Sequence, residues 1–396
     1  MDVFVHVPKS SGSTIRSILS RQYGVDQSLY FEPDSSGWVG SQTPRQFVNE
    51  AIEKRGIKLL TGHYPFGVHL LTHKPSRYFS MVRDPIDRAL SDYYYAFSYP
   101  HHRFRERIVS GQVSAEAYVT HKSYSPGGAQ AAMIAGRART SGGLVKTALQ
   151  TIEHSFISVG ITERFEESIM QFAKLLGWRP PLFIQRNVTQ LQEGVSKERA
   201  DVRFRVLNNY PDYFREDYEV YGEANKMLTA WIASEGEPYA RALEAFREIQ
   251  QDIASHTTEE VFERYEFGHD DALPPFATRY AGSDTLKTID EYLKSPTESR
   301  PKTNFIGTVD AYGGTEITGW AADLLDDKPI HVTLRRHGRP CATALCNRPR
   351  PDLAEAGLDG SFGGFVIELE KPMEKPSEYV VCFEDTSFEL TWHKKL

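Results

Sequence analysis

The chain begins MDVFVHVPKSSGSTIRSIL (residues 1–19). Apolar and polar side chains alternate through Val3–Val7, which reads as a β-strand. Pro8–Ser13 is a loop of Lys, Ser and Gly, and Thr14–Arg21 opens a helical pattern. A strand that runs through a Lys-bearing loop of small residues into a helix start suits a phosphate. Backbone N–H groups converge there, and the positive end of the helix dipole favours an anion. Lys9 supplies a point charge, and Ser10, Ser13 and Thr14 supply hydroxyl donors. The amides of Ser11, Gly12, Ser13 and Thr14 form the cradle. The Lys precedes the Gly, so the loop does not read GxxxxGK[ST]. By itself the stretch also fits a strand–turn–helix junction with a solvated lysine.

Three more short apolar runs follow: Ile57–Leu60, Tyr78–Val82 and Phe156–Ile161. Each is followed by a helical pattern or a turn. Ile86–Ala96 has helical spacing with Asp84 in position to cap it, and Phe165–Leu176 stops at Gly177. Strands alternating with helices predict an α/β fold built on a parallel sheet flanked by helices. In such sheets ligands bind beyond the carboxyl ends of the strands. Lys9, His63 and Arg83 all fall at predicted carboxyl ends. From Pro100 to Gly143 periodicity is weak, and we expect irregular helices and loops over the site. Glu237–Ser255 is helical.

Pro274–Asn304 is rich in Pro, Ser, Thr and charge and reads as a linker. Beyond it, alternating runs separated by turn residues predict a C-terminal all-β sandwich of roughly seven strands. The chain therefore divides into residues 1–300, with 270–300 linker-like, and 301–396, with a boundary near Pro301.

Composition narrows the function. The 396 residues are 40% hydrophobic and 25% charged, with net charge −7, which disfavours a general nucleic-acid binder. The three cysteines, Cys341, Cys346 and Cys382, form no CxxC pair. Neither a disulfide framework nor a Cys-rich zinc site is indicated, and buried thiols are the simplest expectation. No apolar run approaches the ~18 residues of a membrane span, and no signal peptide is evident. The expectation is a soluble cytoplasmic protein.

The second informative stretch is RYFSMVRDPIDRALSDYYY (residues 77–95). Arg83 ends a strand, and Ser91 lies about two helical turns into the next helix, so a guanidinium and a hydroxyl can converge on a phosphate. Alone, Arg83 could instead pair with Asp84 or Asp87. Together, VFVHVPKSSGST and SMVRDPIDRALSDYYY resemble the sulfotransferase family, in particular carbohydrate sulfotransferases of the heparan sulfate 2-O type. VGITERFEESI (Val159–Ile169), RNVT (Arg186–Thr189) and DYEVYGEAN (Asp217–Asn225) extend the resemblance over roughly residues 2–230. It implies a P-loop-type fold binding 3′-phosphoadenosine 5′-phosphosulfate (PAPS). Lys9, Ser10, Ser11, Gly12, Ser13 and Thr14 would hold the 5′-phosphosulfate, Arg83 and Ser91 the 3′-phosphate, and Arg186 the nucleotide more loosely. It also implies transfer without a metal, and the sequence shows no carboxylate cluster suited to magnesium.

His63, in TGHYPFGVH, lies where that family carries the general base for the acceptor hydroxyl, a role suited to a group that titrates near neutral pH. Without the flanking motifs it reads as a structural histidine. The resemblance implies in-line displacement, with Lys9 stabilising charge on the leaving phosphate. His69 and His73 are spaced i, i+4, but no third zinc ligand is suggested, and His69 could equally help position substrate. His101, His102, Arg103, Arg105 and Arg107, with Arg137 and Arg139, could hold an acidic sugar chain or could be a solvated basic stretch. Trp178 and Trp320 read as core. RNVT also matches an N-glycosylation acceptor, which is discounted without a secretory signal. The C-terminal region resembles a β-sandwich appended to bacterial enzymes of surface polysaccharides. The expected partner is therefore a carbohydrate acceptor. Two other readings stay open: a P-loop nucleotide kinase, although GK[ST] is missing, and a non-catalytic glycan-binding protein.

Overall fold

The computed structural model of the chain describes residues 1–31, 44–136, 143–184, 193–256, 279–297, 302–355 and 363–392. Five parallel strands form the first sheet: β1 (Asp2–Val5), β2 (Ser28–Tyr30), β3 (Leu59–Gly62), β4 (Arg77–Val82) and β5 (Phe156–Ile161), in the order β2-β3-β1-β4-β5. β1 lies between β3 and β4, pairing Val5 with Gly62 on one side and with Ser80 on the other. Because all strands run the same way, the segments after β1, β3, β4 and β5 emerge along one edge. β2, a short edge strand, has no counterpart in the sequence expectation, and β3 sits two residues later than its apolar run suggests.

Both faces of the sheet are covered, so β1 is apolar on both sides, as parallel strands are. Phe4 packs into one cluster with Phe79, Met81 and residues of α1 (Gly12–Tyr23) and α9 (Phe165–Leu176). Val3 and Val5 face a second cluster with α7 (Ala129–Ala135) and α8 (Gly143–Ser155). α11 (Arg215–His256) serves both faces because it breaks at Gly236, where φ is +64°. Its first half packs on the α7 side and its second half on the α9 side. Trp178 is buried in the first cluster, as expected.

Between β4 and β5 the chain forms α4 (Pro85–Ser98), α5 (Arg105–Val109), α6 (Ala115–Thr120), α7 and α8. α4, α5, α6 and α10 (Glu193–Asn209) share a small core of their own around Leu90, Tyr118 and Val206. The described part of the segment with weak sequence periodicity thus holds short helices, each too brief to show a helical repeat.

The linker expectation needs correcting. Asp284–Lys294 forms helix α12, capped where the Ser283 hydroxyl accepts from Leu286 N–H at 3.2 Å. Ile289, Tyr292 and Leu293 are buried against α9 and α11. Lys174 of α9 donates to the carbonyls of Tyr292 and Ser295. The apolar spacing was present, but Pro- and Ser-rich flanks obscured it. Pro301 itself lies outside the described residues.

Seven strands, β6 (Phe305–Tyr312) to β12 (Thr391–Trp392), follow among the described residues. They form a four-stranded sheet β10-β7-β6-β12, mixed because β12 runs parallel to β6, and an antiparallel sheet β11-β8-β9. Val309, Ile317, Val332, Leu334, Phe365 and Val381 fill the space between them. Of the cysteines, Cys346 and Cys382 are buried, whereas Cys341 is exposed. Trp320 is only partly buried and packs at the junction with the α/β region.

That junction is built from specific bonds. Ser76 N–H donates to Asn304 Oδ1 at 2.7 Å, Thr303 N–H to the His154 carbonyl at 2.8 Å, and Ser387 to Gln150 Oε1. His69 is buried there. Tyr78 Oη lies 2.7 Å from its Nδ1, and the ring also bonds the Phe305 backbone. Burial pushes its pKa down to about 3. The ring is committed to joining the two regions rather than to holding a metal or substrate.

Candidate active site

The loop after β1 is bent by two non-glycine residues in the left-handed region, Lys9 (φ +67°) and Ser11 (φ +59°). Such conformations cost about 1 kcal/mol each and persist where surrounding structure enforces them, often at ligand sites. α1 starts at Gly12 without a side-chain cap from Ser11, and the first N–H groups of a helix have no acceptor within it. Ser10 is buried, and its Oγ has no hydrogen-bond partner among the described residues. A buried hydroxyl without a partner is costly. Its placement in a cationic loop fits an anion that completes it.

Lys9 packs its ammonium 3.9 Å from the centroid of the Tyr95 ring. Burial lowers its pKa, Asp92 opposes that, and Arg83 adds to it. Tyr95 in turn stacks on Tyr99, centroids 5.3 Å apart and planes 10° apart, with both rings more than 40% exposed. Exposed aromatic faces therefore border the loop.

Arg83 lies just past β4. Its Nη1 donates to the Lys9 carbonyl at 3.1 Å, which ties the two motifs together. Its Nε lies 3.9 Å from Glu163 Oε1 and makes no hydrogen bond among the described residues. Asp84 and Asp87, the partners left open by the sequence, are occupied by α10. Arg203 grips Asp84 with both terminal nitrogens, and Arg199 bonds Asp87 at 3.2 Å. Asp84 also caps α4, accepting from Ile86 and Asp87 N–H at 3.1 and 3.0 Å, as its position predicted. Burial alone would raise the Asp84 carboxyl, but Arg203 and these amides hold it below the usual range. Burial and the neighbouring Arg199 lower the pKa of Arg83. Glu163, Asp87 and Asp84 oppose that shift.

His63 follows β3 and is exposed. Its ring sits 4.4 Å from that of His6, which lies between it and the start of α1. Burial foremost, and then His63, Arg16 and Lys9, push His6 down to about 3, so it is a neutral ring. Ser91 is on α4, partly buried, two turns beyond Arg83. Arg186 lies outside the described residues, as do Arg137 and Arg139. His101 and Arg103 are exposed beyond Tyr99.

Sequence reasoning missed His6, Gln130, Glu163, Arg199 and Arg203. His6 stood in plain view as part of an alternating strand. The other four act through backbone or ion-pair contacts across long separations, which no local pattern announces.

Two cavities, of about 360 and 880 Å³, lie between the amino ends of the strands and the β region. Neither is lined by residues of the phosphate loop. No group of three or more metal-ligating side chains occurs among the described residues.

Residues 3–128 match the model described as the sulfotransferase family. This segment runs from β1 past α6 and includes both cationic motifs. Sulfuryl transfer is the general chemistry this supports. No curated protein matches the chain. No helix among the described residues is long and apolar enough to cross a membrane.

Proposed function

We propose that the protein transfers a sulfuryl group from PAPS to a carbohydrate hydroxyl. The observation that carries this is the Arg83–Lys9 bond, which joins two cationic motifs beside a buried Ser10 hydroxyl that has no partner among the described residues. That arrangement fits a ligand with anionic groups at two places, as a 3′-phosphorylated, 5′-phosphosulfated adenosine has. Lys9, Ser10 and the amides of Ser11–Thr14 would hold its 5′ end, and Arg83 with Ser91 its 3′-phosphate. The donor supplies a sulfuryl group whose S–O bond to phosphate breaks as the acceptor oxygen attacks.

The protein's own part is electrostatic and proton-transferring. Lys9 and the helix N-terminus stabilise negative charge at the 5′ end. His63 accepts the acceptor hydroxyl proton on its imidazole, which makes the oxygen a competent nucleophile. His6, neutral, forms the wall behind it. The exposed Tyr99 ring, stacked on Tyr95 beside the loop, supports a sugar acceptor, because pyranose rings pack on aromatic surfaces. The β region would be an accessory domain.

Incubation with sulfur-labelled PAPS and a panel of oligosaccharides should yield labelled product. His63→Ala should lower turnover by about 10²-fold or more and leave nucleotide affinity within a few-fold. Loss of nucleotide binding together with turnover would contradict the role given to His63.

A further inference from the structure

Gln130 lies two residues beyond the segment matched to the family, and neither cationic motif includes it. It sits in the first turn of α7, fully buried. Its carboxamide makes two bonds to a single residue. Oε1 accepts from Arg83 N–H at 2.9 Å, and Nε2 donates to the Arg83 carbonyl at 2.8 Å.

Arg83 is the first residue beyond the β4–β5 ladder, which ends at Val82 and Ile161. Backbone groups past the end of a ladder need other partners when they are away from water. A carboxamide, with one acceptor and two donors, presents the same pair of groups as a neighbouring strand. Gln130 therefore pairs with the Arg83 backbone as a strand would, one residue past the point where the β4–β5 ladder ends. It fixes the backbone from which the Arg83 guanidinium departs.

Gln130 is itself held in place. The next residue, Ala131, donates its N–H to the buried Asp217 carboxylate of α11 at 2.9 Å. Gly127, three residues earlier, lies against the Tyr213 carbonyl, where a Cβ would fall 2.0 Å from the oxygen. The clamp is thus anchored to a long helix rather than to a loose turn.

We propose that Gln130 is a positioning residue for Arg83 and sets the preference for a 3′-phosphorylated nucleotide. This rests on the donor proposed above. Gln130 makes its two side-chain hydrogen bonds to the backbone of Arg83. Its loss should therefore weaken the 3′-phosphate contact more than the 5′ end, which Arg83 reaches only through its bond to the Lys9 carbonyl.

The test is calorimetric titration of the full chain with 3′-phosphoadenosine 5′-phosphate and, separately, with adenosine 5′-phosphate. Two variants are compared with the unaltered protein. Gln130→Met removes both bonds at similar volume, and Gln130→Glu keeps an acceptor for the N–H but loses the donor for the carbonyl. Thermal melting reports on folding, and the Glu variant, which keeps side-chain shape, guards against simple collapse of the Met variant. The preference for the bisphosphate should fall by about tenfold in both, with affinity for the 5′-phosphate within about twofold of the original. An unchanged preference in either folded variant overturns the proposal. An equal loss for both nucleotides also overturns it, because that marks a general structural role. If the unaltered protein shows no preference for the 3′-phosphate, the donor assignment fails instead.

Discussion

Gly12 begins α1 directly beneath the His6 ring. A Cβ there would fall 1.6 Å from His6 Nε2, so no side chain fits unless the ring moves. Gly12→Ala should therefore displace His6 from beneath His63 and disturb the bent loop. The expected result is a lower melting temperature and at least a tenfold loss of nucleotide affinity, since packing displacements of this kind cost about 1–3 kcal/mol. Unchanged titrations would show that the loop does not depend on this contact. Tyr95 offers a second test. Tyr95→Leu removes the aromatic face under the Lys9 ammonium, a contact worth about 1 kcal/mol, and nucleotide affinity should change several-fold. At this scale the sequence was legible for residues whose chemistry is conspicuous: Lys9, His63, Arg83 and the capping Asp84. It was silent for Gln130 and Arg203, because an amide or a guanidinium that serves the backbone or a buried carboxylate has no local pattern.

The junctions between elements carry the molecule's acid sensitivity. His6 and His69 are both held near 3, in each case chiefly by burial. In the unfolded chain they return to about 6.5. The unfolded state then binds more protons throughout that interval, so stability falls as pH drops below about 6.5 and is flat with respect to these groups above it. Denaturant midpoints at pH 7.5 and 5.0 should show the drop. His69→Gln, which keeps one acceptor for Tyr78 and one donor for Phe305, should shrink it. A drop of equal size in that variant would remove His69 from the explanation. The Asp84–Arg203 pair links α4 to α10. With its folded pKa depressed, Asp84 contributes stability that is present above about pH 4 and lost below it. Arg203→Met should cost about 2 kcal/mol in urea unfolding, because it leaves a buried carboxylate short of a partner. Most elements were legible from periodicity and capping, including α4, α9 and β5. β2 was missed because a three-residue edge strand shows no alternation, and α12 because its apolar face was diluted by the flanking prolines.

Across the whole molecule, the order of the parallel strands gathers Lys9, His63 and Arg83 on one edge, and this much followed from reading four strands in sequence. The attachment of the β region did not. A linker composition suggested a tethered module, yet Asn304, Phe305 and Ser387 bond to the α/β region, and Ile306 and Leu353 pack with Leu70. Such contacts join residues more than two hundred positions apart, beyond any local signal. Ending the chain after residue 297 should therefore expose the Leu70 surface and lower the melting temperature by several degrees, or cause aggregation. A shortened chain that melts with the full protein would show that the β region is only tethered.

The most direct measurement is calorimetric titration of the full chain with 3′-phosphoadenosine 5′-phosphate, against adenosine 5′-phosphate and ATP. The account predicts clear preference for the 3′,5′-bisphosphate, lost in Arg83→Ala as a charge-assisted contact worth about 2 kcal/mol disappears. Equal affinity for the bisphosphate and the 5′-phosphate, unaffected by that substitution, would contradict it.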